Sequence, residues 1–151
     1  MMLKYLNFNA KLRKIYKEFC APVCKKYAIN QTGYDILLFL GVDPAHNTAR
    51  DIQETCMVKS SLLSVTIEKL IRAGYLKREN DRKDRRVQRL IPTKCAEALI
   101  ADGFAVQRRF EAAIFQEMTE DDLALFESLL NKLLAAADKL EEEGEKERGI
   151  R

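Results

Sequence analysis

Lys59–Thr93, KSSLLSVTIEKLIRAGYLKRENDRKDRRVQRLIPT, decides how this chain folds. A helical pattern runs to Gly74, where a glycine can terminate it. Two short runs of strand character follow, Tyr75–Arg78 and Val87–Ile91, around a charged tip, Asp81-Arg82-Lys83-Asp84-Arg85-Arg86. From Lys69 to Lys94 ten Lys and Arg stand against three Asp and Glu, a net of +7, whereas the whole chain is only +3. A helix followed by a basic hairpin is the geometry that lays a rod in a DNA major groove with a finger beside it.

Around this centre the charge is uneven. Residues 1–30 carry seven basic groups and one acidic, Glu18, while residues 119–151 carry ten acidic and five basic. Nucleic acid would meet the middle, with the acidic end turned away. At 151 residues and 47% hydrophobic content the chain suits one domain, or a domain with helical extensions, around a real core. No apolar run approaches the roughly 20 residues of a membrane span. The N-terminus lacks the continuous apolar segment of a secretory signal. The expected setting is cytoplasmic, and Cys20, Cys24, Cys56 and Cys95, none in a CxxC pair, are expected as reduced thiols.

Working outward, residues 3–27 predict an amphipathic helix with Phe8, Leu12, Ile15, Phe19, Val23 and Tyr27 on one face. Pro22 should kink it or end it near Ala21. A second helix, Thr32–Val42, is apolar all round and therefore buried. Thr48 and Asp51 resemble a capping box for a short helix, Ala49–Cys56. Lys59-Ser60-Ser61 opens the next, with Leu63, Ile67 and Leu70 inward and Ser61, Ser64, Val65 and Glu68 outward. After the strand–tip–strand, Pro92-Thr93 starts a long helix to about Glu117. Thr119-Glu120-Asp121-Asp122 caps a last one, with Leu123, Phe126, Leu130, Leu133, Ala137 and Leu140 on one stripe. The tail from Glu141 is expected to fray.

The order predicts a mainly α fold with a small β-hairpin wing: a winged helix-turn-helix core between long flanking helices. Residues 1–30 form an N-terminal dimerisation helix, 31–95 the DNA-binding domain, 96–143 the C-terminal dimerisation helices, and 144–151 a frayed charged tail. One compact core cannot cover all the flanking apolar stripes, so they look for a partner. A second copy is the simplest, and a two-fold homodimer suits palindromic DNA.

These residues resemble the MarR family of bacterial transcriptional regulators, from about Phe8 to Leu140. The resemblance is carried by Ile67-x-x-Leu70-x-x-x-Gly74-Tyr75-Leu76, Arg78, Asp84-Arg85-Arg86 and Pro92-Thr93. Two departures stand out. The family commonly has Leu-Thr-x-x-Gly where this chain has Pro92-Thr93-Lys94-Cys95-Ala96, and often a polar or basic residue at the position of Val65. The resemblance implies a homodimer that represses nearby genes and is released by a small ligand or by cysteine oxidation.

The candidate DNA-binding set is Lys59, Ser60, Ser61, Ser64, Val65, Lys69, Arg82, Lys83, Asp84, Arg85 and Arg86. Arg86 would enter a narrow minor groove, held by a charge-assisted hydrogen bond that it donates to Asp84. Arg82, Lys83, Arg85 and Lys69 would meet phosphates. Ser61 and Ser64 are small enough for close approach, Val65 can touch a thymine methyl, and Ser60 or Lys59 caps the helix. Phe19, Tyr27, Tyr34 and Phe39 either line an effector crevice or fill core.

Cys20 and Cys24, four apart on one helix face, are redox candidates, with Lys25 and Lys26 placed to lower a thiol pKa. The plainer reading makes them small buried apolar groups. His46, the only histidine, lies in a loop. No nucleophile–base set, metal-ligand set or cofactor motif can be assembled, so the chain is not expected to be an enzyme. Two alternatives to a ligand-released DNA regulator remain: a cysteine redox sensor, and a winged-helix protein-interaction module without DNA binding.

Overall fold

The computed structural model describes residues 1–81, 83–147 and 149. In chain order these form α1 (Met2–Lys26), α2 (Gln31–Val42), α3 (Ala49–Cys56), α4 (Ser60–Arg72), β1 (Leu76–Asn80), β2 (Gln88–Pro92), α5 (Lys94–Ile114) and α6 (Glu120–Glu147). The chain divides into two compact units, residues 1–110 and residues 111 onwards.

The first unit is built around α2. Tyr34, Ile36, Leu37, Leu38 and Leu40 are all buried, as its all-round hydrophobicity requires. Asn30 starts the helix by accepting from the Gly33 amide at 2.8 Å. Close packing against α5 depends on Gly103, where a Cβ would overlap Leu38. The Tyr34 hydroxyl donates to the Gly103 carbonyl at 3.1 Å, so the ring is buried without an orphaned polar tip.

Helix α1 does not end near Ala21; it runs through Pro22 to Lys26. Proline removes one N–H and crowds the carbonyl four residues back, here Glu18. Buried Cys20 and Val23 flank it, and their packing holds the turn helical. The chain then leaves α1 through Ala28, a non-glycine residue at φ 52°.

The Thr48–Asp51 capping box forms as the sequence predicts, with the Thr48 hydroxyl and the Asp51 carboxylate each serving the other's amide. Helix α4 ends in a Schellman motif: the Tyr75 amide reaches Leu70 O at 2.9 Å and the Gly74 amide reaches Ile71 O at 3.0 Å. Gly74 sits at φ +78°, a conformation that a side chain would strain.

Strands β1 and β2 pair antiparallel, with Leu76 opposite Pro92, Arg78 opposite Leu90 and Asn80 opposite Gln88. Each begins one residue later than its sequence signal, at Leu76 and Gln88. The hairpin inserts Leu76 and Leu90 into the core of the first unit.

In the second unit, Thr119 and Asp122 cap α6 reciprocally at 3.0 and 3.2 Å. Rings Phe115 and Phe126 lie 5.7 Å apart. Two boundaries differ from expectation. Helix α5 stops at Ile114, short of Glu117. Helix α6 does not fray from Glu141 but continues to Glu147. Glu142 stands one turn before Lys146, the i,i+4 order that supports a helix. Among the described residues no helix is long and apolar enough to cross a membrane.

Candidate nucleic-acid interface

Helix α4 buries Leu63, Thr66, Ile67 and Leu70 and turns its other side outward. Lys59, Ser60, Ser61, Ser64, Val65 and Lys69 are all exposed, Val65 to 53%. Lys59 is the cap residue but makes no side-chain cap bond. The Ser60 hydroxyl donates instead to Gln53 of α3 at 3.0 Å, and the Ser64 hydroxyl donates to the Ser60 carbonyl at 3.0 Å. Both hydroxyl protons are thereby engaged, and what these serines present outward is lone pairs. They are suited to accept from the amino groups of adenine or cytosine rather than to donate.

The wing tip is a small hydrogen-bonded frame. Asp81 N donates to Val87 O, and Val87 N to Asp84 O, each at 2.9 Å. Asp81 Oδ1 accepts from the Lys83 and Asp84 amides at 2.7 and 3.0 Å. Asp84 Oδ1 accepts from Arg86 at 2.9 Å, but from its backbone N–H. The expected Asp84–guanidinium bond is thus replaced by a backbone one: Asp84 fixes where Arg86 leaves the chain, and the side chain extends into solvent from there. Lys83, Arg85 and Arg86 are all exposed; Arg82 lies outside the described residues.

Two ion pairs escape a reading by sequence spacing. Glu68 on α4 meets Arg78 on β1 at 2.6 Å, and that hydrogen bond holds its carboxyl below the ordinary range. Asp81 meets Arg89 at 2.8 Å. Its two amide bonds, then the Arg89 contact, bring the Asp81 carboxyl down to about 2. Arg89 Nη1 also donates to Ala45 O at 3.2 Å and Asn47 Oδ1 at 3.0 Å. The signal lies in the hairpin register, which makes Arg89 the direct partner of Glu79 and so a diagonal neighbour of Asp81. Without the tip's length that register cannot be assigned.

The four aromatic candidates scatter. Phe39 lines a 260 Å³ cavity with Tyr16, Asp35, Leu38, Val42 and Gln107. Tyr34 fills core, Phe19 packs edge-on against Phe110 at 5.4 Å, and the Tyr27 hydroxyl donates to Asp102 at 2.8 Å. Tyr16 and Asp35, which the sequence reading did not single out, also border a 480 Å³ cavity beside α3. Burial raises both, Tyr16 to about 12.

Cys20 is fully buried and Cys24 half-buried. Burial pushes the Cys24 thiol up to about 11, opposite to the lowering expected from its lysine neighbours. Lys26 is drawn away to Asp102 at 2.7 Å. His46 is exposed and pairs with Asp43 at 2.8 Å. Among the described residues no group of three ligand-type side chains could hold a metal.

A short helix, a tight turn through Met57, an outward-facing second helix and a basic antiparallel hairpin define a winged helix-turn-helix. Residues 29–87, the segment from the end of α1 into the wing, match the model of the MarR family. The regulator PapX of Escherichia coli is 26% identical over 137 residues, covering 89% of this chain and 80% of its own. A MarR protein from Peptoclostridium difficile shares the fold with a TM-score of 0.77 at 18% identity, over 89% and 88% of the two chains. MepR of Staphylococcus aureus, solved as a DNA complex, superposes with a TM-score of 0.74 at 16% identity, over 89% and 95%. The chain has the winged helix-turn-helix fold of these structures, and residues 29–87 carry its similarity to the MarR family.

Proposed function

We propose that this chain is a sequence-specific regulator that binds a palindromic duplex as a homodimer, acts as a repressor and is released by a small ligand. The observation that carries the reading is the convergence of two exposed elements with no role in the core. The Ser61–Ser64–Val65 face of α4 has the width and small side chains of a major-groove reader. The Lys83–Arg86 tip has the charge and reach of a minor-groove and phosphate contact. MepR, which shares the fold, is solved on DNA.

The dimer reading rests on exposed apolar side chains. Tyr5, Leu6 and Phe8 of α1, and Phe126, Leu130, Leu133 and Leu140 of α6, are 39–70% exposed in the single chain. Isolated exposed leucines are ordinary, but a continuous stripe along a helix marks an association surface. Release by a ligand is favoured over release by oxidation, because burial raises the half-buried Cys24 thiol and disfavours the reactive thiolate, while Tyr16, Asp35 and Phe39 line a 260 Å³ cavity.

The test is selection of duplexes from a random pool, followed by binding at two salt concentrations. A regulator of this kind enriches one inverted repeat and loses affinity steeply as salt rises, through counterion release. A folded protein that enriches no sequence would leave the protein-interaction reading in its place.

A further inference from the structure

We propose that Arg89 and Asp81 are positioning residues for DNA recognition, setting the reach of the wing relative to helix α4; the inference rests on the DNA-binding reading above. Arg89 holds both sides of the joint. Its Nε donates to Asp81 Oδ2 at 2.8 Å, and its Nη1 to Asn47 Oδ1 at 3.0 Å and Ala45 O at 3.2 Å. A guanidinium does this with one rigid planar fork, which an ammonium lacks.

On the wing side, the connection runs onward to the tip. Asp81 Oδ1 gathers the Lys83 and Asp84 amides, and Asp84 Oδ1 then takes the Arg86 amide. Arg86 is therefore anchored through Asp84 and Asp81 to Arg89. On the other side, the Leu90 amide donates to Asn47 O at 2.8 Å, and Thr48 bridges Arg89. Thr48 is also the cap of α3, the helix that leads into α4. One side chain thus joins the tip of the wing to Ala45 and Asn47, in the loop that leads into the cap of α3.

A protein that enters two grooves at once needs the distance between its two readers fixed, since a contact misplaced by about 1 Å loses most of its worth. The exposures fit this role. The Asp81 side chain is 18% exposed and that of Arg89 34%, while Lys83, Asp84, Arg85 and Arg86 at the tip are exposed. An acidic residue in a basic finger opposes DNA unless its charge is directed inward, and here it is.

The opposite signs of charge make the test sharp. Asp81→Asn removes a negative charge from the wing, keeps a side-chain oxygen for the two tip amides and breaks the ion pair. By charge alone it should tighten binding to every duplex. Loss of positioning predicts that affinity for the inverted repeat selected by the wild type instead falls about tenfold, while affinity for a random duplex holds or rises. Arg89→Lys, which keeps the charge and loses the fork, should show the same loss of discrimination, with its salt slope unchanged. Thermal unfolding of both variants checks the fold, and Arg89→Lys carries the test if Asp81→Asn does not fold. A folded Asp81→Asn or Arg89→Lys protein that discriminates the selected repeat from random duplex as well as the wild type does would overturn the proposal. A wild type that selects no repeat would overturn the DNA-binding reading and this inference with it.

Discussion

Leu133→Ala on helix α6 should weaken the homodimer by roughly a hundredfold, and the size follows from exposure. Leu133 is 59% exposed in the single chain. Full burial of a leucine is worth about 2 kcal/mol, so a partner that covers the remainder gains about 1.2 kcal/mol. A two-fold interface counts each change twice, about 2.4 kcal/mol, and the unfilled space left by truncation adds on the order of 1 kcal/mol. At about 1.4 kcal/mol per decade, the dissociation constant rises by about two orders of magnitude. Sedimentation velocity across a concentration series measures it directly. Asn131→Ala, on the opposite side of the same helix, is the control and should leave the constant where it was. The reasoning fails if folded Leu133→Ala dimerises as tightly as wild type. It fails equally if the wild type sediments as a monomer throughout the series.

Three further expectations concern the wing and the thiols. Arg86→Ala should weaken binding to the selected repeat by about 1–3 kcal/mol with little change in unfolding temperature, because the exposed side chain carries no core packing; equal affinity in a folded variant would remove the wing from the mechanism. Mild peroxide should leave operator binding intact: a thiol at about 11 has a thiolate fraction on the order of one in ten thousand at pH 7, so release that Cys24→Ser abolishes would reverse this. Asp81 contributes stability that is present above the ordinary carboxyl value and lost as pH falls through its folded value of about 2. The gap in unfolding temperature between wild type and Asp81→Asn should therefore be constant above about pH 5 and close toward pH 2; a gap that widens on acidification would contradict the depressed value.

Much of this was legible in the sequence because the signals were local. Thr48 and Asp51 are three apart, and a capping box needs nothing else. Gly74 follows a helical run, and only a residue tolerant of positive φ closes a Schellman turn there. The apolar content of Ile36–Leu40 forces burial whatever surrounds it. What was missed depended on packing and on which atom faces which, and these do not follow from sequence spacing. Pro22 reads as a breaker until Cys20 and Val23 are seen packed beside it. Asp84 is close enough to Arg86 to suggest a side-chain pair, yet the tip turn presents it to the backbone amide. Arg89 passed as one more basic residue because its acceptors, Ala45 and Asn47, come from a loop more than forty residues earlier. The lysines beside Cys24 suggested an acidic thiol, but burial outweighs neighbours that point elsewhere.

The neck of the hairpin has a consequence of its own. Thr93 donates its hydroxyl to Gly74 O and its amide to Tyr75 O, and its hydroxyl oxygen accepts the Cys95 amide at the start of α5. The end of α4 and the first turn of α5 are thus stitched together beneath the hairpin, and the loop between them is closed at its neck. Lengthening a loop that is already closed costs little, about 0.6 kcal/mol for each doubling. Changes of length at the tip need not propagate into either helix. The tip can therefore change in length without disturbing the helices it stands on, provided that Leu76, Leu90 and Arg89 keep their places below it.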